Sequence, residues 1–204
     1  FLGGLHLMCR SMHIYYSKIW VVFCDCGHNI LSNAMICLLK IEGGAKMSII
    51  KSNENENLRF SKLMALLYYH MCEEFCARLG EEEGKKAISN VVRAFGDARI
   101  KAMKKEAEER KITIVDNESY HLVRDMPNPG YRATWKDGVH CVEYCPFADV
   151  WADYGEKGLE YGALYCEIDN QIFDAFGLKL RRDHILTTTK DYCEFIVEKK
   201  TENS

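Results

Sequence analysis

Two polar groups stand three residues apart in YGALYCEIDNQIF (161–173): the thiol of Cys166 and the carboxylate of Asp169. A thiolate attacks electrophilic carbon, and a nearby carboxylate can hold a cation or take a proton. At helical spacing the pair shares a face with Leu159, Gly162, Ala163 and Phe173. The small members of that face leave room for a ligand or for a close helix. Leu164, Ile168, Ile172 and Ala175 form a neighbouring face that reads as the packing stripe. Burial raises the pKa of both polar groups unless a cation or hydrogen bonds compensate. A buried cysteine beside a capping or paired aspartate is the plainer reading of the same residues.

A second cluster lies in HCVEYCPFADVW (140–151). His140 is a base, Glu143 a carboxylate and Cys145 a thiol, all three candidates for proton transfer or substrate contact. On a strand, His140, Val142 and Tyr144 point one way and Cys141 and Glu143 the other. Cys145 falls where strand passes into helix, and free helix N–H groups there lower a thiol pKa. Zinc ligation by His140, Cys141 and Cys145 would need a convergence that this geometry opposes, so no metal is assigned. Arg99, in FGDARIK (95–101), could clamp a carboxylate with its forked guanidinium, or simply be a solvated helix residue. Cys72 and Cys76, four apart, read as small core-facing residues. Cys193 alternates with Phe195 and Val197 and reads as inward, while His184 reads as mid-strand. Phosphate-binding glycine loops, a GxSxG elbow and HExxH do not occur.

The elements that must position these groups are legible. Leu63, Leu66, Leu67, Met71, Phe75 and Leu79 recur at helical spacing over 58–79, closed by Gly80. A second helix is expected over 82–110, with Ile88, Val91, Val92 and Phe95 as its stripe. NESYHLVRDM (117–126) suggests a short helix capped by Asn117. Two alternating runs around Asp137-Gly138 form a hairpin. Cys145-Pro146 opens a short helix that Gly155 ends, and a longer helix follows over 158–176. Strands are expected over 178–186 and 192–198. The class is α+β: two N-terminal helices, then an antiparallel sheet of hairpins with an inserted helical pair.

The 204 residues are 48% hydrophobic and 28% charged, with a formal net charge of -3. This suits one globular domain and offers no basic footprint for nucleic acid. The first 46 residues differ, holding four of the ten cysteines and three of the seven histidines. Their apolar runs are too short to span a membrane or to make a clear secretion signal. EGGAKM (42–47) can encode a GGAGG ribosome-binding sequence ahead of Met47. Translation is therefore expected to start at Met47 in a bacterial frame, with 1–46 mis-extended; the alternative is a Cys/His-rich appendage with CDCGH (24–28) as metal ligands. Residues 47–57 read as a disordered lead-in, 58–198 as the domain and 199–204 as a tail. A cytoplasmic location and reduced thiols follow from the lack of a convincing signal.

CPFADVWADYG (145–155), LYCEIDNQIFDAF (164–176) and DYCEFIV (191–197), preceded by a helical pair containing FGDAR, resemble the L-2-amino-thiazoline-4-carboxylic acid hydrolase family. The resemblance covers about 58–198; Ile100 stands where the family often has glycine. It implies opening of a cyclic amidine to an N-carbamoyl-cysteine, with no cofactor and a small molecule as the only partner. Cys166, Asp169 and Cys145 would be catalytic, and Arg99, Gly162, His140 and Glu143 would bind substrate, Arg132 being an alternative carboxylate anchor. The competing function is a non-catalytic sensor or interaction domain that binds a small molecule or metal.

Overall fold

The computed structural model describes residues 50–127 and 130–200 fully and residues 13–16 and 19–22 as backbone. The expectations for translation start, for the CDCGH metal ligands and for 201–204 lie outside the described residues. β1 (His13–Tyr16) and β2 (Ile19–Val22) pair antiparallel in a unit of their own. The rest forms a second unit, in which no described helix is long and apolar enough to cross a membrane.

That unit opens with two antiparallel helices, α1 (Glu56–Leu79) and α2 (Glu81–Glu109). Ahead of them, Glu54 closes a turn on Lys51 and pairs at 2.9 Å with the buried Lys62. Asn55 caps α1 by accepting the Asn57 N–H at 2.9 Å, so the helix starts slightly before its apolar pattern does. Gly80 alone joins the helices; its φ of 83° lies where a side chain is strained.

The inward face of α1 is not the aliphatic stripe expected for it. Ala65, Tyr69, Cys72 and Cys76 are buried, with Ser61 and Lys62, whereas Leu63, Leu67, Met71 and Leu79 are exposed. Aromatic contacts and hydrogen bonds hold this face. Trp151, with no exposed surface, donates its indole N–H to the Ala65 carbonyl at 3.0 Å. Tyr68 donates to the Tyr161 carbonyl at 2.9 Å, and Tyr69 stacks on Tyr154 at 3.7 Å. In α2, Ile88 and Val92 point inward, while Val91 and Phe95 are exposed.

Four further helices and the sheet complete the unit. α3 (Asn117–Tyr120) is capped by Asp116, one residue earlier than expected, through a reciprocal capping box with Ser119. β3 (Arg132–Lys136) and β4 (Val139–Tyr144) form the expected hairpin, with Asp137 and Gly138 both at positive φ. α4 (Pro146–Ala152) follows, then α5 (Gly155–Cys166) and α6 (Ile168–Ala175). β5 (Leu178–Arg181) and β6 (Cys193–Lys199) close an antiparallel sheet of order β3-β4-β6-β5. The α+β class and its order of elements stand as expected.

Two expectations fail here for one shared reason. The helix expected over 158–176 is interrupted at Glu167, and the strand expected over 178–186 stops at Arg181. The Arg182 guanidinium reaches across from the end of β5 and takes the Cys166 carbonyl at 2.9 Å. That carbonyl is one a continuous helix would have used itself. His184 consequently sits in a loop, not mid-strand, stacked on Tyr192 and paired with Asp191 at 2.8 Å.

Candidate active site

One face of the sheet supplies the floor of a cavity: His140 and Val142 from β4, Cys193 and Phe195 from β6. Their shared face follows from strand alternation. α6 brings Asp169, the end of α5 brings Cys166, the start of α4 brings Cys145, and α2 brings Arg99. The segment around α3 adds Asn117, Tyr120, His121 and Arg124. The cavity has a volume of about 130 Å³, close to what a benzene-sized ring needs.

Asp169 is the anion of the cavity. Arg182, with 3% of its side chain exposed, donates to its Oδ2 at 2.9 Å. Burial nevertheless raises the Asp169 pKa above the ordinary carboxylate value, with Arg182 and then Arg99 pulling the other way. A carboxylate raised in this manner can take and return protons nearer neutrality.

Three thiols share the same chamber. Burial pushes Cys166 well above the ordinary thiol value, and the neighbouring Asp169 adds to that. Its sulfur accepts from the Thr187 hydroxyl at 3.9 Å. Cys145 is pushed up to about 12 by burial, although the N–H groups of Ala148 and Phe147 at the start of α4 oppose this. The junction therefore does not make Cys145 an exposed, acidic thiol, because desolvation outweighs the helix start. Cys193 is raised by burial as well and accepts from the Leu186 N–H at 3.3 Å. All three rest as thiols, and each needs a base to react as a nucleophile.

The cavity wall carries unserved hydrogen-bonding capacity. The Asn117 amide oxygen and nitrogen and the Tyr165 hydroxyl are buried without partners. Beside this floor, His121 and His140 meet edge to face at 4.9 Å, with Trp135 5.1 Å from His140. Burial lowers both imidazoles, His121 to about 4, so both are neutral near pH 7. No group of three or more His, Cys, Asp and Glu able to hold a metal occurs among the described residues.

Of the residues singled out from sequence, Cys166, Asp169, Cys145, Arg99 and His140 are brought together around this cavity. Arg99 does not offer a free fork: both its Nε and Nη2 bind Asp125, at 2.8 and 2.6 Å. Gly162 and Glu143 are not in the wall. A Cβ on Gly162 would lie 2.3 Å from Trp151 Cε3, so this glycine serves helix packing. Glu143 lies on the other side of β4 with Lys136 at 3.5 Å and Arg132 at 3.7 Å, which removes Arg132 as an anchor too.

Sequence reasoning missed Arg182, Arg124, Asn117 and the tyrosines of the wall. Arg182 did leave a signal. In the period of two that sets Leu178 and Leu180 on the buried face, Arg182 falls on that face as well, and a buried cation needs a partner. Asn117 and Tyr165 left none, since an orphaned amide or hydroxyl is visible only once the walls are placed.

No curated protein and no solved structure matches the chain. Residues 57–197 match the family model for L-2-amino-thiazoline-4-carboxylic acid hydrolase. With most of its length covered by that match and the cysteine–aspartate pair of α5 and α6 within it, the chain belongs to the L-2-amino-thiazoline-4-carboxylic acid hydrolase family.

Proposed function

We propose that the cavity hydrolyses a small, planar cyclic amidine carrying a carboxylate, as in the opening of L-2-amino-thiazoline-4-carboxylate to N-carbamoyl-L-cysteine, in the cytoplasm. The observation that carries this reading is the placing of the Cys166 thiol and the raised Asp169 carboxylate in one ring-sized chamber. Arg99, Arg124 and Arg182 line the chamber, Arg99 held by Asp125 and Arg182 by Asp169, so a ligand carboxylate would share guanidinium groups with these carboxylates. The unpartnered Asn117 amide and Tyr165 hydroxyl suit a ligand rich in N–H and ring nitrogen.

In this mechanism the Cys166 sulfur attacks the amidine carbon while Asp169 accepts the thiol proton. The bond from that carbon to the ring sulfur breaks, and the departing sulfur takes the proton back from Asp169. An isothiourea linked to Cys166 remains. Water then adds to its carbon, one proton going to nitrogen and the other to Asp169. The bond to Cys166 breaks, its sulfur recovers the proton, and a urea is released. Cys145, which lines the same chamber, is the donor assigned to the departing sulfur in this mechanism. Arg182 holds Asp169 in place and limits how far its pKa rises.

A second reading has Asp169 activating water directly while Cys166 only shapes the wall. The upward displacement of the Cys166 pKa favours it, because it disfavours the thiolate. Cys166→Ser and Asp169→Asn, assayed by free-thiol release from the thiazoline, test the proposal. Losses on the order of 100-fold or more in kcat are expected for both on the nucleophile route. Near-normal turnover in both variants refutes the site. A covalent adduct on Cys166, seen by mass spectrometry after acid quenching, separates the two routes.

A further inference from the structure

The outer face of α1 is apolar, and its pattern is symmetric. Exposed Glu56, Phe60, Leu63, Leu67, Met71, Glu74 and Arg78 follow one another at steps of four, three, four, four, three and four. These steps average close to the 3.6 residues of a helical turn, so the residues form one straight stripe along the helix. Phe60 is 70% exposed, Leu63 50%, Leu67 61% and Met71 42%. α2, α4 and α5 pack on the buried side of α1, and among the described residues nothing covers the stripe. Four large apolar side chains side by side on a helix surface mark an interaction site.

The pattern points to what covers it. The spacing reads the same in both directions from Leu67, which is the condition for a contact between two identical faces. We infer that α1 packs antiparallel against α1 of a second copy of this chain, with Leu67 on the two-fold axis. Leu63 then meets Met71 of the other copy. Phe60 lies against the methylenes of Glu74 and against Ala77, which is exposed on the same side. Glu56, in the first turn of α1, faces Arg78, in the last turn. This pairing occurs twice, and the antiparallel helix dipoles favour it. A parallel arrangement would instead set Glu56 against Glu56 and Arg78 against Arg78. The stripe spans roughly 33 Å, at a rise of about 1.5 Å per residue. A single helix pair lies at the small end of stable interfaces, so the dimer depends on concentration.

Sedimentation velocity on the full chain, from about 1 to about 100 µM, tests this. A monomer–dimer equilibrium is expected for the wild type. Leu67→Glu places two carboxylates across the axis and is expected to weaken association at least ~100-fold. Its circular dichroism and turnover should stay those of the wild type, because Leu67 faces away from the cavity. Bismaleimide cross-linking supplies a second arm that does not depend on that variant. Leu63→Cys mixed with Met71→Cys should form a covalent dimer, and Leu63→Cys alone should not. A wild type that stays monomeric over the range overturns the inference. A dimer that survives Leu67→Glu, or Leu63→Cys that cross-links to itself, overturns it equally.

Discussion

α1 and the α5–α6 pair solve the same problem in opposite ways. In α5–α6 the apolar residues go inward: Leu159, Tyr161, Ile168, Ile172 and Phe173 are all buried. The polar Cys166 and Asp169 go inward with them because a cavity and an arginine receive them. In α1 the large aliphatic residues go outward, and a face of Ala65, Tyr69, Cys72, Ser61 and Lys62 goes inward. Hydrophobicity therefore fixed the inward face of one helix pair but not of α1. What fixes α1 is fit: a carbonyl for the Trp151 indole, a ring for Tyr154 to stack on, and a carboxylate at Glu54 for Lys62. A helix with two apolar faces turns the better-complemented one inward, leaving the greasier one for something else.

The largest effect should come from the inner face of α1. Tyr69→Ala removes a ring that is 8% exposed and stacked on Tyr154, with an expected cost of about 3–5 kcal/mol in urea unfolding. A cost under about 1 kcal/mol would mean that this face is not the packed one, and the comparison would collapse.

Next comes the link between α6 and β5. Arg182→Met leaves the Asp169 carboxylate and the Cys166 carbonyl without their donor. Breaking a largely buried pair from one side costs about 3 kcal/mol, measured in the same way. The pH dependence of kcat/KM should move with it. Burial raises Asp169, so activity falls as pH drops through a value above the ordinary carboxylate range. Arg182 is the largest influence holding that value down, so the variant's acid limb should shift to higher pH. A limb that stays fixed would show that Asp169 is not the base. Stability runs in the opposite direction with pH. A carboxyl raised in the folded state contributes stability below its unfolded pKa and loses it as pH rises through the folded one. Asp169→Asn should flatten that part of the stability profile.

Gly162→Ala tests the same helix pair more gently. The new methyl would meet the Trp151 ring at 2.3 Å, and overpacking of this kind costs about 1–3 kcal/mol. A neutral result would return Gly162 to the role of leaving room for substrate.

Local signals made much of this fold legible in advance. The helix pair broken at Gly80, the Asp137-Gly138 hairpin and the Cys145-Pro146 helix start depend on backbone chemistry within a few residues, and each forms where expected. The convergence of Cys145, Cys166 and Asp169 was also legible, through helical spacing and the family resemblance. Apart from the α3 cap, Asp116 in place of Asn117, the misses involve distant partners. Arg182 lies thirteen residues beyond Asp169, and its reach both ends β5 and interrupts the helix at Glu167. Strand alternation separates Glu143 from His140, and the pairing of β3 with β4 sets it against Lys136 and Arg132 instead of the cavity. The inward face of α1 depended on Trp151, 86 residues beyond Ala65.

The smallest effect sharpens the comparison most. Leu67→Gln exchanges an aliphatic side chain that is 61% exposed for a polar one of similar length. If Leu67 contributes nothing to the monomer, unfolding measured well below the association range should change by no more than ~0.5 kcal/mol. Dilution matters because anything that binds only the folded chain adds to its apparent stability. At high protein concentration the same substitution should lower the midpoint, since the outer face then has an occupant to lose. Equal losses at both concentrations would mean that Leu67 is packed within its own chain. The two faces of α1 would then no longer differ in kind, and symmetry would have no further role in explaining the stripe.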